Sequence, residues 1–223
     1  MGKLLFTLCL LISVNFYSQT HIKNDVYEVT YSQAFQQPIT LTYEYPNVRE
    51  FNLNLNITQN GVGYPDVKTS NWKVPSNIVT SDKDDYSLPY HKGHLAPVAS
   101  FESPEHQKFI YSYLNCAIMH KALNKGVWYT LENRERALAK EGHKVRVKVI
   151  LSFSNESNTV DGGATIPSSF TKIIEYFKKF SERTDIKHEV TREVYIFPNN
   201  DSVKGTNLDS YKLKLASGKF LTY

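Results

Sequence analysis

Asn115-Cys116-Ala117-Ile118-Met119-His120-Lys121-Ala122-Leu123-Asn124-Lys125-Gly126-Val127-Trp128-Tyr129-Thr130-Leu131-Glu132-Asn133-Arg134-Glu135-Arg136 decides how this chain is read. From residue 121 to 141 the apolar residues Val127, Leu131 and Leu138 fall on one helical stripe, and Gly142 ends the run. Asn124, Trp128, Glu132 and Arg136 follow one another at i, i+4, so a continuous helix sets them along one slowly drifting face. Glu132 can pair with Arg136 on that face and hold it. Read singly, Asn124 is a helix N-terminal amide, and Glu132 with Arg136 is an exposed pair of little energetic weight. A second stretch changes that reading.

Tyr90-His91-Lys92-Gly93-His94-Leu95-Ala96-Pro97 supplies a histidine beside a lysine and a glycine. Hydrolysis of a phosphodiester requires water to lose a proton near neutral pH, and histidine is the side chain suited to that task. Charge building on the phosphate oxygens and the leaving oxygen must be met by cations. A hard divalent ion prefers oxygen donors and keeps several waters, so one amide oxygen can anchor it. His94, Asn124, Lys92, Glu132 and Arg136 are residue types able to supply each of these functions. Gly93 is expected to let the backbone beside His94 come close to a ligand.

Outward from these stretches, Ile39 to Tyr45 alternates apolar and polar residues between Pro38 and Pro46, the pattern of a half-buried strand. Residues 56 to 90 are rich in Asn, Gly, Asp, Ser and Pro and read as long loops, with Ser81-Asp82-Lys83-Asp84-Asp85 as a solvated charge run. Val145, Val147 and Val149 alternate with Arg146 and Lys148 in a further strand. Ile166, Phe170, Ile173, Ile174, Phe177 and Phe180 read as an amphipathic helix stripe, with Lys178-Lys179 on its solvated face. Val190 to Phe197 forms a strand closed by Pro198. The order β, loop, α, β, α, β predicts an α+β fold with an antiparallel or mixed sheet and flanking helices. Trp128 and the tyrosines between 27 and 45 are expected to be packing residues.

The chain has 223 residues, which suits one domain or two small ones. Its 41% hydrophobic and 22% charged content exclude a wholly disordered chain, and its 12 Phe and 15 Tyr exclude a collagen-like or low-complexity one. The formal net charge of +4 permits an acidic partner such as nucleic acid. Lys3, the apolar run Leu4 to Val14 and the polar boundary at Ser18-Gln19 read as a secretory signal peptide over residues 1–19, too short to span a bilayer. The predicted mature domain is then 20–223, secreted or periplasmic, with Cys116 as its single cysteine and no internal disulfide. Cys116 reads as a small buried hydrophobe.

The two stretches resemble the DNA/RNA non-specific endonucleases, the ββα-metal (His-Me finger) nucleases that include a secreted bacterial nuclease and endonuclease G. Their Asp-Arg-Gly-His motif reads His91-Lys92-Gly93-His94 here. Their helix motif is matched by Asn115, Asn124, Gly126, Trp128, Leu131, Glu132 and Arg136; Asn71-Trp72-Lys73, Ile166-Pro167, Phe170 and Lys172 extend the similarity over most of the chain. The resemblance implies a magnesium-dependent enzyme, with manganese as an alternative metal, that cuts DNA and RNA with little sequence preference and leaves 5′-phosphates. It implies His94 as general base, Asn124 as direct metal ligand, Glu132 orienting the water on the metal, Arg136 at the phosphate or leaving group, and Asn115 supporting the site from the strand before the helix. Lys92 takes the place of the family's Arg.

Several positions depart from that pattern. Lys92 lacks the two-pronged phosphate contact of Arg. His91 replaces Asp, Ser70 stands where a substrate-binding Arg is frequent, Ile118-Met119 replaces Pro-Gln, and Leu151-Ser152-Phe153-Ser154 replaces Thr-Gly-Pro. These losses motivate a rival reading, a weak or inactive member acting as a secreted nucleic-acid- or partner-binding protein. A zinc reading from His91 with His94, or His120 with Asn124, lacks a completing Cys or His cluster.

Overall fold

Val145, Val147, Val149 and Leu151 are buried while Arg146 and Lys148 are exposed, the period-2 pattern of a strand with one face on a core. At roughly 1.5–3 kcal/mol for each large apolar side chain removed from water, this row is a principal source of cohesion. The strand, β6 (His143–Ser152), lies inside a seven-stranded sheet. The computed structural model describes residues 19–46, 74–101, 103–178, 189–214 and 220–221. Within them the sheet runs β1 (Gln19–Lys23), β2 (Tyr27–Ser32), β3 (Gln37–Glu44), β6, β7 (Ser169–Lys178), β8 (Glu189–Pro198), β9 (Phe220–Leu221), each pair antiparallel. The expected signal segment falls almost wholly outside the described residues, as do Ser70, Asn71 to Lys73, Lys179 and Phe180. No helix among the described residues is long and apolar enough to cross a membrane.

The predicted helix over 166–180 is instead strand β7. Phe170, Lys172 and Ile174 are buried, and the residues between them are less so. A lysine at an inward position breaks the apolar alternation, so the sequence fits a helical template as well as a strand. Pairing with β6 (Val149↔Lys172, Val147↔Ile174) and β8 (Lys172↔Tyr195) decides the matter. The run at 81–85 also differs from expectation. It forms a short 3-10 turn capped by Asp82, with Ser81 and Asp85 buried rather than solvated. A helix that the sequence reading did not anticipate, α1 (Pro104–Ile110), follows its N-cap Ser103.

The second sheet is a two-stranded ribbon, β4 (Tyr90–His94) with β5 (Cys116–His120), in the register Lys92↔Ile118 and His94↔Cys116. Side-chain amides anchor β5. Gln37 Oε1 accepts from Ile118 N at 3.1 Å, and Asn199 Oδ1 accepts from His120 N at 2.7 Å. Asn199 Nδ2 donates to the Ile118 and Pro167 carbonyls at 2.9 and 2.8 Å. Both amides are buried, so each satisfies backbone groups that water cannot reach. Cys116 is buried, as expected of a small hydrophobe.

From β5 the chain turns directly into α2 (Lys121–Leu123), a π-helical turn (Asn124–Trp128) and α3 (Tyr129–Lys140). Val127, Leu131 and Leu138 are buried, as the stripe predicted. Trp128 packs edge-on against Phe170 of β7 and Phe197 of β8, with centroids 5.6 and 6.1 Å away, confirming it as a core residue. Arg134 of α3 donates to Glu193 of β8 through Nε at 2.9 Å and Nη2 at 2.6 Å. The helix thus lies on the sheet face that carries Phe170, Lys172 and Ile174.

Candidate active site

The ribbon and the helix meet along β4. Trp128 Nε1 donates to the His94 carbonyl at 3.3 Å, and Asn124 Nδ2 lies 3.5 Å from His91 Nδ1. The helix start therefore runs beside the strand, with Asn124 toward His91 and Trp128 toward His94. The contact formed by Asn124 is with His91, not with His94.

The expected unbroken i, i+4 face is corrected at Gly126, whose backbone (φ −101, ψ −117) leaves the helical region and opens a π turn. Trp128, Glu132 and Arg136 stay in register, and the turn offsets Asn124 from them. A β-carbon on Gly126 would stand 3.0 Å from the Gly205 carbonyl oxygen, so this crossing favours the missing side chain. Gly93 also has a different role from the expected one. A β-carbon there would meet Met119 Cβ at 2.6 Å, so the glycine serves the β4–β5 packing.

His94 stands at the end of β4 with its ring perpendicular to that of Tyr111, centroids 5.8 Å apart. Its Nε2 is shielded and has no hydrogen-bond partner. Burial, aided by the Lys92 ammonium, lowers its pKa to about 4, so the ring is neutral at neutral pH and can accept a proton. Lys92 is two residues away on the same strand and hence on the same face. On the other side, burial and the Lys125 and Lys121 charges hold His91 below the ordinary histidine value.

Glu132 sits one turn beyond Trp128. Burial pushes its carboxyl up to about 7, against the opposing pull of Lys172; Glu135 raises it further, and Arg136 and the Trp128 N–H lower it. The predicted Glu132–Arg136 pair does not form. Arg136 Nη2 donates to Asn133 Oδ1 at 2.5 Å, and Nη1 is buried without a partner. Asn115 ends the 3-10 turn before β5 and is fully buried. Its Oδ1 accepts from Ala96 N at 2.8 Å, and its Nδ2 donates to the Ala96 and Ile110 carbonyls, both at 3.0 Å. A side chain so engaged clamps the loop leaving His94 and has no donor left for substrate.

Asn124 is partly exposed, and its side chain makes the long contact to His91. Its amide is therefore suited to a cation that takes few protein oxygens and keeps its waters. Among the described residues no three His, Cys, Asp or Glu side chains converge as a chelating cluster. The sequence reading missed Glu135 and its buried pairing with Lys172, which it named only as part of the resemblance. The signal lay in a glutamate on the apolar stripe between Leu131 and Leu138.

A family model described as DNA/RNA non-specific endonuclease matches residues 14–218. The chain belongs to this family. The endonuclease accordingly hydrolyses nucleic acids, and its family is in general metal-dependent. In all, 127 chains of solved structures match it. One, from the crystal structure of an EndoG/EndoGI complex that describes the mechanism of EndoG inhibition, superposes with a TM-score of 0.62 at 18% identity, covering 87% of this endonuclease and 80% of that chain. At that identity the likeness is one of fold, and it supports the α+β, ββα-metal architecture. The comparison with curated proteins found no match.

Proposed function

We propose that this endonuclease is exported to the periplasm or medium and cleaves DNA and RNA with little sequence preference, with His94 as general base and Asn124 holding a divalent cation, magnesium in the first instance and manganese as its alternative. The observation that carries the reading is the His94 imidazole. It is neutral, and its Nε2 is unpartnered. A shielded polar atom without a partner is costly unless something in the working complex completes it.

In this reading His94 takes the proton from the attacking water, which must approach phosphorus in line with the leaving oxygen. Lys92, on the same face, meets negative charge on the phosphate, and the unpaired Nη1 of Arg136 offers a further donor. Glu132, as a carboxylate, accepts hydrogen bonds from water in the site and orients it. Asn124 would hold the cation, which would supply Lewis-acid stabilisation of negative charge on the phosphate and the departing 3′-oxygen. A hydrated ion with one phosphate needs space between His94 and Asn124, which agrees with the lack of direct contact between them.

Incubating the mature protein with plasmid and with RNA tests this, with magnesium, with manganese and with excess EDTA, beside His94→Ala and Asn124→Ala. Cleavage by the wild type alone, abolished by EDTA, is the expected result. Undiminished cleavage by folded His94→Ala removes the general-base assignment, and unchanged metal affinity in Asn124→Ala, measured by calorimetry, removes the ligand assignment.

A further inference from the structure

Beneath the helix lie two charged side chains that the proposed reaction does not use. Glu135 of α3 and Lys172 of β7 are each 0% exposed, and Lys172 Nζ stands 2.8 Å from Glu135 Oε1. Glu135 Oε2 accepts from Tyr43 Oη at 2.6 Å and Tyr45 Oη at 3.0 Å, and Ser100 Oγ donates to Tyr45 Oη at 3.2 Å. Lys172 Nζ lies 4.1 Å from the centroid of the Trp128 ring.

Stability alone is a poor account of such a pair. Exchanging a buried ion pair for well-packed apolar side chains is frequently neutral or stabilising, because desolvation offsets the Coulomb attraction. The location offers a better account. Trp128, over which the lysine sits, donates its indole N–H to the His94 carbonyl. Glu132 lies between Trp128 and Glu135 on the helix. The charged groups bearing on Glu132 are Lys172 from β7 and Glu135 and Arg136 from its own helix; Tyr43 and Tyr45, on the β3 side, donate to Glu135 and feel the Glu132 charge through space. Lys172 favours the Glu132 carboxylate and Glu135 opposes it, with the lysine the stronger of the two.

We propose that Lys172 and Glu135 are positioning residues of the nuclease site, a buried pair that seats Trp128 against the His94 carbonyl and sets the charge balance at Glu132. The inference rests on the reading above only where it links Glu132 to catalysis. The two residues touch neither substrate nor metal, and they act through Trp128 and Glu132.

The test is a carbon-detected NMR titration of the Glu132 carboxyl in the full protein with EDTA present, assigned by its loss in Glu132→Gln. The expected result is that Lys172→Met raises the midpoint and Glu135→Gln lowers it, each by roughly half a unit or more, as charges a few ångströms away do. Each single variant leaves one buried group unmatched and can fail to fold. The double variant Lys172→Met/Glu135→Gln leaves no unpaired charge, and because the lysine is the stronger influence its midpoint is expected to rise. A general loosening of the core would move both single variants the same way; that result, or an unmoved midpoint in the double variant, overturns the proposal. With metal restored, the acid limb of the pH profile of kcat/KM is expected to follow the NMR midpoint across the variants. If the midpoints separate as expected but the limb stays fixed, the charge coupling stands and the catalytic role of Glu132 fails.

Discussion

Burial holds the Glu132 carboxyl at about 7, well above the ordinary glutamate value of 4.5. Between those values the folded state binds more protons than the unfolded one, so stability falls as pH rises through that window. Glu132→Gln removes this penalty while keeping the shape. At pH 8 the variant is expected to be more stable than the wild type by about 1–3 kcal/mol in urea denaturation, at roughly 1.4 kcal/mol per pH unit. Near pH 4 the two should coincide. Cleavage in the same variant is expected to drop by about 10²-fold or more, as when a preorganised group at a reacting centre is lost. Reduced stability at pH 8 would mean that the carboxylate is better solvated than its burial implies. His94, Glu132, Lys92 and Arg136 could be named as candidates from the sequence, because each belongs to a short motif whose spacing is local. The approach of His91 to Asn124 was not legible, since it joins separate elements.

At the scale of elements, one buried carboxylate of β8, Glu193, ties α3 to the sheet through Arg134. Burial raises the Glu193 pKa, but hydrogen bonds from Arg134, Lys212 and Tyr195 outweigh it and hold the group at about 2. A depressed carboxyl contributes its full stability above the unfolded value of 4.5 and loses it as pH falls toward 2. Glu193→Gln is expected to cost roughly 2–3 kcal/mol at pH 7. The gap from wild type should close between about pH 5 and pH 2 in parallel denaturation series. A gap that persists undiminished at pH 2 would assign it to packing rather than charge. Legibility divides here by type of element. The stripe of Val127, Leu131 and Leu138 and the alternation of Val145, Val147 and Val149 were both read correctly, because each apolar row meets one apolar surface. β7 was read as a helix because Lys172 occupies one of its inward positions, and the straight helix face was overdrawn because Gly126 opens a π turn.

For the whole molecule, Lys92, Lys121 and Lys125 set the local field, since all three bear on the histidines of β4. Binding to a polyphosphate should release counterions in proportion to the phosphates neutralised. With His94→Ala, the variant expected to lack cleavage, affinity for a short DNA duplex is expected to fall with salt at a log–log slope of about −2 to −3 for two or three such contacts. Lys121→Ala/Lys125→Ala should flatten that slope by about two units in fluorescence-anisotropy titrations; an unchanged slope would place the phosphate path elsewhere. By itself the sequence determined the apolar rows of β6 and α3, because short-range periodicity is a property of neighbouring residues, and its two motifs carried the resemblance that implied a nuclease with His94 and an Asn-to-Arg helix. Only the tertiary structure decided that Lys172 meets Glu135, that Asn115 is a clamp and that Asn124 approaches His91. Pairings of buried polar groups depend on which distant strand and helix are pressed together, and no local pattern encodes that.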